Sequence, residues 1–212
     1  LKLGAVRILF GLMTKLVIAD RLKPMIKQIF SHYDDYQGGI IALGAIAYTI
    51  QLYCDFSGTM DAVMGVAQIF GVTMPENFQR PFFSKSISEF WKRWHITLGT
   101  WFKDYIFYPV TMSKPMKNLT SSARKKLGNH FGPLLAGSIA LFCVWFCNGL
   151  WHGSAWGYIF FGMYHFVLIL SGNIIAPAVT AFNKKLHINS ECFAYKVCLL
   201  YTSPSPRDRQ KS

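Results

Sequence analysis

His95 and His152 each follow a tryptophan, in the stretches FWKRWHITLGTWFKDY (90–105) and CNGLWHGSAWGY (147–158). Imidazole titrates near pH 6.5, so a histidine held beside a substrate can take or give a proton at working pH. Gly149 and Gly153 bracket His152 and let backbone or substrate come close. Asn148 precedes His152 by one helical turn, where its amide could donate a hydrogen bond to developing negative charge. Alternatives stand beside this chemistry. The plainest is a pair of hydrogen-bonded structural histidines at helix ends. A metal site would draw on His95, His152 and Asp55 or Asp104, but neither HxxH nor HExxH spacing occurs, and no metal is expected. The aromatic stripe fits packing or membrane anchoring more readily than substrate stacking. His165 reads as a satisfied core histidine, and His32, His130 and His187 as loop residues.

The elements that must hold these groups are apolar. Of the 212 residues, 52% are hydrophobic and only 15% charged, against roughly 25% charged in a soluble domain. That balance implies a membrane protein. The net charge of +12 would suit nucleic acid only as a basic face on a soluble fold. Here the cations fall in short runs between apolar segments, as cytoplasmic loops do under the positive-inside rule, so nucleic acid is not an expected partner. The five cysteines (Cys54, Cys143, Cys147, Cys192, Cys198) include no CxxC pair, which indicates neither a disulfide framework nor a zinc site.

Along the chain, residues 3–20 suit a spanning helix interrupted by Arg7 and Lys15 and ended by Arg21, Lys23 and Pro24. Residues 38–57 form a clearer span that ends in Asp55, an acidic group expected to face the protein interior or water. A shorter apolar helix is expected over 60–72, then an extended connector over 74–82 fixed by Pro75 and Pro81. Ser86 and Glu89 make a capping box. It opens one amphipathic aromatic helix in a re-entrant or interfacial position, with His95 beside Trp91 and Leu98 on its stripe and Pro109 at its end. Trp91, Trp94 and Trp101 would anchor it, while Lys92, Arg93 and Lys103 reach toward headgroups. Residues 111–130 read as a basic cytoplasmic loop. Two further spans, 131–151 and 154–175, leave His152 at a tight corner. The chain starts at Leu1 and reads as a fragment, with a partial membrane domain over 1–198. Residues 199–212 read as a disordered or non-native, adaptor-like tail.

The blocks YCDFSGTMDAVMGVAQIFGVTMPENFQRPFFSKSISEFWKRWHITLGTWFKDYIFYPV (53–110) and NGLWHGSAWGYIFFGMYH (148–165) resemble the membrane-bound O-acyltransferase superfamily. The branch they are most similar to holds the bacterial alginate O-acetyltransferase subunit and its D-alanyl-lipoteichoic-acid relatives. The resemblance implies an all-α polytopic bundle with re-entrant or interfacial helices around a central tunnel. It also implies more spanning helices than this chain supplies, with the N-terminal ones missing. It implies His152 as the catalytic histidine and His95 as the second functional one. Asn148, Trp94, Arg93, Trp151 and Asp55 become candidates for binding substrate or donor. The implied reaction moves an acyl group, acetyl first, from a thioester to a hydroxyl of a cell-surface polysaccharide or its partner protein. The donor would be acetyl-CoA or an acyl-carrier protein, with no bound cofactor. An extracytoplasmic acetyltransferase or acyl-acceptor protein is the implied partner, and the plasma (inner) membrane the implied multi-pass location. Teichoic-acid D-alanylation and peptidoglycan acetylation are the neighbouring alternatives. One departure leaves the acceptor open: TMSKPMKN stands after YIFYPV, where the alginate type has a Gly-Gly loop. From other classes, a transporter would line a path with Asp55, Asn148, His152 and His165, although no inverted repeat is present. A scaffold delivering the donor to a soluble transferase would need neither histidine.

Overall fold

The structure is a computed structural model, and the residues it describes are 1–185. The expected tail at 199–212 lies outside the described residues. The chain forms two compact units, Leu1–Asn77 and one that begins at Phe78. Among the described residues every extended element is a helix; the one β feature is an isolated bridge. Among the described residues three helices are long and apolar enough to cross a membrane: Gly38–Ile69, Lys114–His152 and Trp156–Lys185. The chain is an all-α membrane protein.

In the first unit, α1 (Lys2–Met13) runs through a π turn (Thr14–Ala19) into α2 (Asp20–Ser31), and α3 (Gly38–Ile69) returns antiparallel to both. Small residues set the approach. A side chain on Gly65 would strike the Gly4 carbonyl, and one on Gly58 would strike that of Gly11. Further along, Gly44 receives Ile29. Close backbones bring the charges of α1 onto those of α3. Arg7 Nε and Nη2 donate to Asp61 Oδ1 at 3.0 and 2.9 Å, and Nη2 donates to Glu76 at 2.6 Å. Lys15 Nζ donates to Asp55 at 2.5 Å. Charges at membrane depth persist when paired, and this pairing is why Arg7 and Lys15 can interrupt an apolar segment.

Several sequence expectations change here. The helix expected over 3–20 forms, but its second part is a π turn and it continues into α2. Pro24 lies inside α2 rather than ending a helix, in the turn that follows the π turn. The segments 38–57 and 60–72 are one 32-residue helix, about 48 Å long. Asp55 therefore lies in its interior, not at its end.

In the second unit the connector runs through a short 3₁₀ turn (Pro81–Phe83) to α4 (Ile87–Arg93), α5 (Ile96–Phe102), a π turn (Lys103–Phe107) and α6 (Tyr108–Met112). Two long helices follow, α7 (Lys114–His152) and α8 (Trp156–Lys185), packed against each other. The expected single helix from Ser86 to Pro109 is thus broken at Trp94–His95. Pro109 does not end it either: it sits in the first turn of α6, just after the π turn, and the end comes at extended Ser113. The expected loop over 111–130 is helical, with Ser113 as N-cap and Pro115 in the first turn. Gly128, at φ 79° and ψ −177°, interrupts α7, and Gly132 then sits against the backbone of Arg124, so the axis turns sharply. His130, expected in that loop, lies in α7 and donates from Nε2 to the Asn173 carbonyl at 3.2 Å.

Candidate functional site

The break that positions His95 is built from three devices. Ser86 caps α4, its Oγ accepting from Glu89 N at 3.0 Å, while Glu89 Oε2 accepts from Lys85 N at 2.7 Å. The capping box forms as the spacing predicts, with the glutamate reaching one residue further upstream. At the other end, Trp94 is extended (φ −108°, ψ 125°) and forms an antiparallel bridge with Phe78, and Gln79 N donates to the Arg93 carbonyl at 3.0 Å. The Trp94 indole meets Phe78 edge-on at 5.1 Å and stacks on Phe90 at 5.6 Å. The chain then turns through His95 in the left-handed region (φ 50°, ψ 52°), where it serves as N-cap of α5. That conformation costs a non-glycine residue about 1–2 kcal/mol. A continuous helix would have put His95 on the Trp91–Leu98 stripe; the bridge to Phe78 competes successfully and swings it away.

His152 comes from another direction. It is the last residue of α7, and the chain leaves it through Gly153 at φ 153°. Gly153 lies against the Tyr158 ring, where a side chain would collide, so the tight corner needs glycine. Gly149 lies against the backbone of Tyr158 and Ile159 and clamps α7 to α8 one turn earlier.

Trp151 touches both histidines. His95 meets its indole edge-on at 5.8 Å between ring centroids, and His152 meets it edge-on at 4.9 Å. Burial pushes the His95 pKa below its ordinary value, and the nearby His152 pushes it the same way. His152 also stacks on Tyr158 at 6.3 Å and meets Phe161 at 5.6 Å. Among the described residues, no hydrogen bond or ion pair engages either nitrogen of its exposed imidazole. His165 differs: Nδ1 donates to the Phe161 carbonyl at 2.9 Å, and its ring packs on Trp91, Trp145 and Phe161. It is the satisfied core histidine that the sequence suggests.

The remaining candidates divide. Trp151 and Asn148 share α7 with His152. Asn148 is 7% exposed, and its Oδ1 is buried with no hydrogen-bond partner. A second such atom, Trp91 Nε1, belongs to a ring 4.9 Å from Trp145, three residues before Asn148. Arg93 is held by Glu89 at 2.6 Å, and Trp94 packs in the connector. Asp55 belongs to the first unit, bound to Lys15 and to Gln51 Nε2 at 3.4 Å. Tyr158 and Phe161 contact His152 without any signal in the sequence beyond being aromatic; only the α7–α8 corner brings them there. Among the described residues no group of three or more His, Cys, Asp and Glu could hold a metal. Chemically, the arrangement offers an open imidazole base, a second imidazole kept neutral by its surroundings, and a buried amide oxygen one turn away.

The family model described as membrane-bound O-acyltransferase family matches residues 2–124, which include His95. Over 162 residues the chain is 37% identical to a probable alginate O-acetylase of Azotobacter vinelandii, covering 76% of this chain and 29% of that protein. A probable alginate O-acetylase of Pseudomonas syringae pv. tomato is 34% identical over 194 residues, 92% of this chain and 32% of its own length. An alignment that leaves out under a tenth of the chain includes both His95 and His152. A teichoic acid D-alanyltransferase of Bacillus subtilis is 38% identical over 130 residues, 59% of this chain and 29% of the relative. The chain spans about a third of the length of these relatives or slightly less.

Proposed function

This chain belongs to the membrane-bound O-acyltransferase family, and on that premise we propose that it is part of a multi-pass inner-membrane enzyme that moves an acyl group from a thioester to a hydroxyl. His152 takes the proton of the acceptor hydroxyl as the oxygen attacks the thioester carbonyl. The carbon–sulfur bond then breaks, and the imidazolium returns the proton to the leaving thiolate. Proton transfer of this kind is worth about 10²–10⁴-fold. His95, neutral at working pH, orients the hydroxyl or the donor carbonyl. The observation that carries this reading is a pair of imidazoles on one indole, of which His152 has no structural bond to occupy it. A purely structural histidine would be hydrogen-bonded, as His130 and His165 are.

The donor is a substrate, acetyl-CoA or an acyl-carrier protein, and no cofactor takes part. The relatives named probable alginate O-acetylase favour acetylation of a surface polysaccharide; an extracytoplasmic acetyltransferase is the partner that this reading calls for. D-Alanylation of teichoic acid is the second reading, from the D-alanyltransferase relative. His152 is exposed in this unit, so lipid, substrate or the family's tunnel would have to keep water from the thioester. The test uses membranes carrying the full-length protein, a radiolabelled acetyl thioester and the polysaccharide acceptor. His152→Ala should insert normally and lose transfer by at least about a hundredfold. Normal ester formation by that variant would overturn the assignment.

A further inference from the structure

Between Asp104 and Glu191 the sequence contains no acidic residue. Within that stretch five cations, Lys114, Lys117, Arg124, Lys125 and Lys126, line the first part of α7, and all five are exposed. None of them makes an ion pair among the described residues. The less exposed positions of the same stretch, Met116, Leu119, Thr120 and Ala123, recur at helical spacing, and α7 packs on α6 and the π turn before it. The outward face is therefore basic, and no carboxylate within residues 105–185 can neutralise it.

Two further features say what faces it. The preceding segment exposes Trp101 (50%), Tyr105 (67%) and Tyr108 (41%), with Lys103 Nζ 5.3 Å over the Tyr108 ring. Exposed indoles and phenols interleaved with lysine are the side chains of a membrane–water interface. The turn at Gly128, tightened by Gly132 against Arg124, frees 114–127 from the axis of the apolar 129–152 that follows. A basic helix at the foot of a spanning helix, able to leave its axis, can lie along the membrane plane.

We propose that residues 101–127 form a surface that rests on anionic phospholipid headgroups, with the five cations on phosphates and Trp101, Tyr105 and Tyr108 at headgroup depth. Coulomb attraction supplies the selectivity for anionic over zwitterionic lipid, and the aromatic rings set the depth. An acidic protein would satisfy the cations but leave the exposed rings between them in water, which favours lipid. This inference does not rest on the proposed transferase reaction.

The test places the purified chain in phosphatidylcholine vesicles containing trace spin-labelled phosphatidylglycerol or spin-labelled phosphatidylcholine. At low salt the immobilised fraction should favour phosphatidylglycerol by about fivefold for each fully engaged cation, and high salt should remove the preference. A Lys117→Gln, Arg124→Gln, Lys125→Gln, Lys126→Gln variant with unchanged helical circular dichroism should lose most of it. If that variant misfolds, the salt titration of the unaltered chain decides. Equal immobilisation of both lipids at low salt, or a preference indifferent to salt, overturns the proposal. So does protection of these lysines from an amine-reactive label by an acidic acyl-carrier protein but not by phosphatidylglycerol.

Discussion

His95 sets its imidazole edge-on against the indole of Trp151 at 5.8 Å, although one caps α5, the other lies in α7, and 56 positions separate them. The same indole carries His152 at 4.9 Å, so the two imidazoles share one aromatic neighbour. Trp151→Phe should keep an edge to pack on and retain most transfer activity. Trp151→Ala should lower it about tenfold, the loss of two aromatic contacts worth about 0.5–1.5 kcal/mol each. Steady-state assays of the two variants check this; equal activity of both would show that the indole does not set the geometry.

Asn148 presents a conflict between stability and chemistry. Its buried Oδ1 has no partner, an arrangement that costs about 1–3 kcal/mol. Asn148→Leu removes the orphan oxygen and should leave thermal stability equal or higher, while transfer falls. Activity and melting temperature measured on the same preparation separate the outcomes. A variant that is less stable yet fully active would assign Asn148 a packing role only.

The first unit makes a purely structural prediction. A side chain at Gly58 would come within 2.6 Å of the Gly11 carbonyl and 3.1 Å of Lys15 N. Gly58→Ala should therefore push α1 from α3, loosen the Lys15–Asp55 pair and destabilise the unit by about 1–3 kcal/mol. Thermal unfolding in detergent measures it, with Gly172→Ala, whose added carbon meets nothing within 4 Å, as the control.

His95 should titrate below pH 6.5, because burial and His152 both disfavour its charged form. A group whose folded pKa is depressed contributes stability above its unfolded pKa and loses it as pH falls through the folded value. Stability should thus decline from about pH 6.5 downward, and His95→Asn should reduce that acid-side slope. Histidine-selective ¹⁵N NMR reads the titration directly; a His95 midpoint above 6.5 would contradict the burial.

The sequence made the pairing of His95 with His152 an expectation through motif resemblance, and the spacing made the helix–helix corner at His152 an expectation on its own. The capping box at Ser86 and the spans around 38–57, 131–151 and 154–175 were legible because apolar periodicity and caps are local signals. The break at His95 was not legible. Trp91, Trp94 and Leu98 keep helical spacing through it, and only the bridge from Phe78, sixteen residues upstream of Trp94, makes Trp94 extended. Pro24 and Pro109 do not end their helices; each follows a π turn, and no residue type announces a π turn. The basic stretch 111–130 looked like a loop because its charge outweighed its helix-forming composition.

Because His95 occupies left-handed backbone, the position admits a short alphabet whatever the reaction demands of it. Glycine, asparagine and aspartate tolerate that conformation; valine or isoleucine would drive the chain toward extended or right-handed backbone and unseat Trp94 from Phe78. A saturation library at this codon would accordingly sort into two groups, one whose members lose only the ring and one whose members lose the junction itself. Descendants that dispense with the imidazole should be drawn from the first.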